Sequence, residues 1–129
     1  MQDMWEKFVL ICTAAGSACL MRGGLSAIAK TEHGISVVME LYGECAAAAQ
    51  AAGHTPRPRH VEMFRGALTG GGSPANIPSM LRDLQRGLRV EADHIVGDML
   101  ARALAAGHAA PMLRAAHTHL KVYEAARAG

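Results

Sequence analysis

Lys7, Ser79, Asp83 and Glu91 are the side chains whose types and spacing suit proton transfer or the binding of a polar ligand. Lys7 stands three and four residues from Met4 and Ile11, so a helix puts it on a face shared with apolar residues. One reading is a lysine snorkelling from the edge of that face. The other is a partly desolvated ammonium that gives up its proton more readily, because burial disfavours the charged form. Ser79 and Asp83 are four apart, one above the other on a single helix face. They form either a solvated polar face, with Asp83 paired to Arg82 or Arg86, or a pair that grips a ligand. Glu91 precedes Ile95 by four residues, where a helix is expected to open. A carboxylate there is favoured by the helix dipole, so capping and acid–base work are both open readings.

Other candidates carry less. The seven histidines include no H-E-x-x-H, no Cys–His spacing fits zinc, and His117 and His119 point to different sides of a helix, so no metal site is expected. Cys12, Cys19 and Cys45 form no C-x-x-C pair, and their odd number reads as reduced thiols packed as small apolar groups. The run Thr69-Gly70-Gly71-Gly72-Ser73-Pro74 lacks the Gly-Lys-Ser/Thr ending and the preceding strand of a phosphate loop, and reads as the most flexible stretch of the chain.

The elements that must position these residues are helical. The 129 residues are half apolar, 19% charged and only 4% aromatic, a composition suited to one domain of closely packed helices. A net charge of +2, spread along the chain, gives no reason to expect a nucleic-acid partner. Asp3-x-x-Glu6 can form a capping box ahead of a helix whose apolar stripe is Met4, Phe8, Ile11, Cys12, Ala15 and Cys19, ending at Gly23-Gly24. A short helix is expected at Leu25 to Lys30. A long one follows through Ile35, Val38, Met39, Tyr42, Cys45 and Ala49 to Gly53. Pro58 opens the next, Ile77 to Arg86 form a short one, Glu91 opens another that Gly107 closes, and Pro111 opens the last. The expectation is all-α, a single domain of six or seven helices. The apolar run from Phe8 to Met21 is shorter than a bilayer span, and Asp3 and Glu6 flank it where a secretory signal wants positive charge. It reads as a buried helix of a cytoplasmic protein with no membrane partner.

Taken together, these residues resemble a known family. Met4-Trp5-Glu6-Lys7-Phe8 resembles the W-x-K segment that opens the C-terminal domain of ketopantoate reductases (2-dehydropantoate 2-reductases). Ser79-Met80-Leu81-Arg82-Asp83-Leu84 resembles the family's S-S-M-L-x-D-(I/L), and Glu91-Ala92-Asp93 its T-E-I-D. Gly97, Gly107, Pro111, Leu120-Lys121 and Glu124 fall where the family has its N-G, its glycine before the last loop, its T-P turn and its closing L-K-x-x-E. The resemblance implies the helical domain of the 6-phosphogluconate dehydrogenase C-terminal type, and a role in NADPH-dependent reduction of ketopantoate in pantothenate biosynthesis, or of a related 2-oxo acid. By it, Lys7 is the lysine that protonates the alkoxide, Glu91 the acid beside it, Ser79 a substrate-binding serine and Asp83 a supporting carboxylate.

The departures from the family pattern are specific. Where the family carries substrate-holding asparagines this chain has Ile11, Ala15 and Leu25, while Val96 replaces the Asn of N-G and Ala110 the Thr of T-P. The proton-transfer set is kept and much of the amide set is gone, which implies that ketopantoate fits poorly beside less polar 2-oxo acids. No G-x-G-x-x-G follows a strand. NADPH is therefore expected on an N-terminal Rossmann domain outside this chain, leaving the chain alone without cofactor or activity. Surface that faces such a partner domain is expected to be partly apolar and to favour self-association, a homodimer being the simplest form. Rival readings are a stand-alone helical interaction module and a helical ligand- or metal-binding domain.

Overall fold

The computed structural model describes residues 1–70 and 78–129, so the glycine run beyond Gly70, and Ile77, lie outside the described residues. The described residues form seven α-helices and no strand: α1 (Gln2–Met21), α2 (Leu25–Ala29), α3 (Gly34–Ala51), α4 (Pro58–Thr69), α5 (Ser79–Gln85), α6 (Asp98–Ala105) and α7 (Pro111–Ala128). A single π-helical turn, Asp93–Gly97, leads directly into α6.

The sequence punctuation explains most of the boundaries. Gly53 and Gly107 adopt φ of 87° and 89°, the left-handed conformation that closes α3 and α6 without Cβ strain. Pro58 and Pro111 sit in the first turns of α4 and α7, where a missing N–H costs no helical bond. The end of α1 differs from expectation, because Arg22 rather than a glycine takes the left-handed position, with φ 59°.

α1 is the centre of the bundle and packs against both α3 and α7. By length and composition alone it could cross a membrane, but more than half of it is buried among the other helices. Its core face is Trp5, Val9, Cys12, Ala15 and Cys19, against which Leu41, Leu81, Met99, Leu113 and Leu120 close. The expected stripe was correct for Cys12, Ala15 and Cys19 and wrong for Met4 and Ile11, which are 67% and 38% exposed. All three cysteines are buried and free.

Carboxylates tie the bundle together at two places. Asp3 and Glu6 make no capping box, since α1 starts at Gln2 and has no side-chain cap. Both reach instead to Arg57, in the turn between α3 and α4. Glu6 is 5% exposed. Arg57 donates from Nη2 to Glu6 Oε1 at 2.7 Å, and from Nε and its backbone N–H to Oε2 at 3.0 and 2.8 Å. Asp3 Oδ1 takes a further bond from Nη2 at 2.6 Å. Elsewhere Ala110 offers α7 no side-chain cap, and Glu44 of α3 supplies it, accepting the Met112 and Leu113 amides at 3.0 and 2.8 Å.

Candidate functional site

A cleft of about 700 Å³ lies between α1, the start of α2, α4, α5 and the segment that follows α5. One wall comes from α1, presenting Leu10, Ile11, Ala14 and the edge of buried Ala15, with Leu25 beside it and Phe64 and Ala67 from α4. The opposite set is Ser79, Met80 and Asp83 from α5, then Arg89, Val90, Glu91 and Ile95. Ile11, Ala15 and Leu25, the three positions singled out for their missing amides, all line it. So do Ser79, Asp83 and Glu91. The wall is therefore apolar along α1 and polar along the 79–91 stretch.

Ser79 is the first residue of α5 and exposed, while Asp83, four residues on, is half-buried. Asp83 forms no ion pair with Arg82 or Arg86 among the described residues. Lys7 does not share the core face of α1. It is exposed, does not line the cleft and makes no ion pair with a described residue, because the face it shares with Met4 and Ile11 is an outer face. It stands one helical turn before Ile11 on that face, next along α1 from the cleft wall.

Glu91 does not cap a helix either. It lies in an irregular segment just ahead of the π turn and is exposed, with its Oε1 3.2 Å from Nη2 of Arg89. Arg89 is the residue that pattern reading missed. Its signal was available in the local alternation: Val90 turns into the core at 4% exposed while Arg89 and Glu91 on either side of it are exposed.

α7 fixes this segment from behind. Arg127 Nε donates to the Gly87 carbonyl at 3.0 Å and the Tyr123 hydroxyl donates to the Leu88 carbonyl. Glu124 Oε2 accepts the Ala92 amide at 2.9 Å. Asp93 bonds His117 Nε2 at 2.7 Å through Oδ1 and Lys121 Nζ at 3.1 Å through Oδ2, and Lys121 also reaches Glu124 at 3.1 Å. The His117 bond, then the Lys121 bond, hold the Asp93 carboxyl below its ordinary range. The Ala92 amide does the same, first among several causes, for Glu124. A Cβ on Gly97 would stand 3.0 Å from His117 Nε2 and 3.1 Å from Asp93 Oδ1, so the glycine leaves room for that pair. Lys121 and Glu124, the closing L-K-x-x-E residues, thus act on the site from a distance in sequence. On its far side the same segment borders a smaller polar hollow of about 340 Å³, lined by Arg89, Glu91, Asp93, Tyr123 and Arg127 among others.

Among the described residues no three His, Cys, Asp or Glu side chains gather as a metal site. The described residues also do not fit the holder of a dinucleotide, which needs a strand running into a glycine-rich turn.

Residues 1–124 match the family model described as ketopantoate reductase PanE/ApbA C terminal. The chain is 31% identical over 124 residues to the uncharacterized oxidoreductase YkpB of Bacillus subtilis (strain 168), covering 96% of this chain and 41% of that protein. It superposes on a PanE/ApbA family ketopantoate reductase from Ralstonia eutropha JMP134 with a TM-score of 0.82 at 25% identity, over 97% of this chain and 41% of that one. The 2-dehydropantoate 2-reductase from Methylococcus capsulatus gives 0.81 at 25% identity, over 99% and 44%. D-mandelate dehydrogenase, solved with NADH and anilino(oxo)acetate, shares the fold with a TM-score of 0.82 at 18% identity, over 99% and 53%. The chain spans about two fifths of the first relatives it matches.

Proposed function

Given that the chain belongs to the ketopantoate reductase PanE/ApbA family, as its C-terminal helical domain, we propose that it supplies the substrate side of an NADPH-dependent 2-oxo acid reductase. One observation carries the reading: Ile11, Ala15, Leu25, Ser79, Asp83 and Glu91, scattered along the chain, line one cleft. The hydride comes from a dinucleotide held by a Rossmann domain outside this chain. What remains for these residues is to hold the oxo acid and to move a proton.

In this reading the substrate lies along α1 with its carbonyl at the Lys7 end of the cleft. As the carbonyl carbon is reduced, its oxygen gains charge, and the Lys7 ammonium passes a proton to it to give the 2-hydroxy acid. Ser79 hydrogen-bonds the substrate, Glu91 orients the reacting groups, and Asp83 supports them. The apolar α1 wall excludes water from the side chain of the acid. Ketopantoate is the family's namesake, but its hydroxyl finds no amide at positions 11, 15 or 25, so a less polar 2-oxo acid suits the wall better. A cytoplasmic setting, where thiols stay reduced, suits the three free cysteines.

The test is steady-state turnover of the full-length protein carrying this domain, with NADPH and a panel of 2-oxo acids. Lys7→Ala is expected to lower kcat by about 10²- to 10⁴-fold, the usual contribution of a positioned proton donor. Full activity in that variant would remove Lys7 from the mechanism. Absence of turnover on every oxo acid would favour a stand-alone interaction module instead.

A further inference from the structure

We propose that Arg89 is the carboxylate-binding residue of the cleft, releasing Glu91 to take the carboxylate of a 2-oxo acid whose alkyl or aryl side chain lies on the α1 wall. The proposal rests on the oxo-acid reading above and assigns the group that receives the anion.

Charge balance demands such a group. The described lining of the cleft carries two carboxylates, Asp83 and Glu91, and one cation, Arg89. An anionic ligand placed beside two carboxylates, with an apolar wall at its back, is repelled unless a cation meets it. Lys7 stands outside the lining, at the end where the carbonyl is placed.

The side chain has the capacity. A guanidinium carries five N–H donors in a fixed fork that matches a carboxylate with two parallel bonds. Among the described residues, Arg89 makes one ion pair, from Nη2 to Glu91 Oε1 at 3.2 Å. The Arg89 side chain is 76% exposed and that of Glu91 59%, so the pair is held loosely and opens at little cost.

The backbone beneath it is fixed. The Gly87 and Leu88 carbonyls are held by Arg127 and Tyr123, the Ala92 amide is held by Glu124, and Val90 is anchored in the core. An irregular segment fastened on both sides, with an exposed charged side chain at its middle, presents that charge in a set place. Exchange of partners also leaves the Glu91 carboxylate unpaired once substrate is bound, available to the reacting groups.

The experiment uses the 129-residue chain, isotopically labelled, titrated by NMR with 4-methyl-2-oxopentanoate and separately with the neutral ketone 4-methyl-2-pentanone. Saturable binding of the acid, much weaker binding of the ketone, and at least tenfold weaker acid binding in Arg89→Gln are expected. Arg89→Lys should recover part of the loss. Glu91→Gln should bind the acid more tightly than wild type, since it removes the competing carboxylate. Circular dichroism checks that each variant keeps its helices. Unchanged acid binding in Arg89→Gln, or equal binding of ketone and acid, would overturn the role of Arg89 and leave the oxo-acid reading standing. Equal weakening by Arg89→Gln and Glu91→Gln would show that Arg89 acts only through Glu91, which also overturns it. If wild type binds neither compound, both readings fall.

Discussion

Ketopantoate and 3,3-dimethyl-2-oxobutanoate differ by a single hydroxyl, and the cleft is expected to prefer the second. Ile11, Ala15 and Leu25 offer that hydroxyl no donor or acceptor. Burying a hydroxyl without a partner costs about 1–3 kcal/mol, which at about 1.4 kcal/mol per tenfold is a preference of roughly 5- to 150-fold in kcat/KM. Ile11→Asn is the perturbation that checks the cause. Ile11 is 38% exposed, so the fold tolerates a polar side chain there, whereas Ala15 at 4% is packed in. A restored hydrogen bond is worth about 0.5–1.5 kcal/mol net, so the ratio should move toward ketopantoate by about 2- to 12-fold. The assay is kcat/KM of the full-length protein for both acids, wild type and variant. Wild type preferring ketopantoate, or a ratio unmoved by Ile11→Asn, would refute the reasoning.

Glu44→Ala should destabilise the domain by about 1–2 kcal/mol, because the first turn of α7 loses its only side-chain cap among the described residues; Glu44→Gln should cost less, and urea melts with an unchanged midpoint for Glu44→Ala would count against it. Glu6 is held well below its ordinary value of 4.5, mainly by the Arg57 side chain and then its amide, so its contribution is complete above that value and is lost as pH falls. Urea melts from pH 7 to pH 3 should therefore show a shallower acid loss in Glu6→Gln than in wild type, and parallel losses would sink the assignment. Fluorescence titration of the chain alone should show no low-micromolar NADPH binding, and such binding would place a cofactor site within it. Sedimentation over a concentration series should show self-association, given the exposed Met1, Met4 and Met63; a strict monomer throughout would contradict it.

Helix boundaries were legible wherever a residue acts locally. Gly53, Gly107, Pro58 and Pro111 stop or start helices through their own backbone chemistry, and no distant contact is needed to read them. Ser79, Asp83 and Glu91 were picked out by their spacing and family pattern, and the three line one cleft. Most of the failures share a cause, which is a partner far away in sequence. Asp3 and Glu6 looked like a local capping box, yet their partner is Arg57. Glu91 looked like a helix cap, yet the segment around it is set by α7, and the π turn comes with Asp93 bound to His117 and Lys121. Met4 and Ile11 were misassigned because α1 has two apolar faces, and periodicity cannot say which one the core takes.

Those two faces of α1 have a consequence for how such a domain diversifies. One face, Trp5, Val9, Cys12 and Cys19, is locked into the bundle, and changes there are paid in stability. The other, with Ile11 and Ala14, shapes the cleft while contributing little to the core. Apart from Lys7, the charged groups sit on α5 and on the segment after it, which α7 fastens. Mutations on the outer face can therefore retune which side chain an acid must carry without disturbing either folding or the charged apparatus. Selection, or a directed-evolution library confined to positions 11, 14 and 25, can explore ligand shape along one axis while the rest of the molecule stays still.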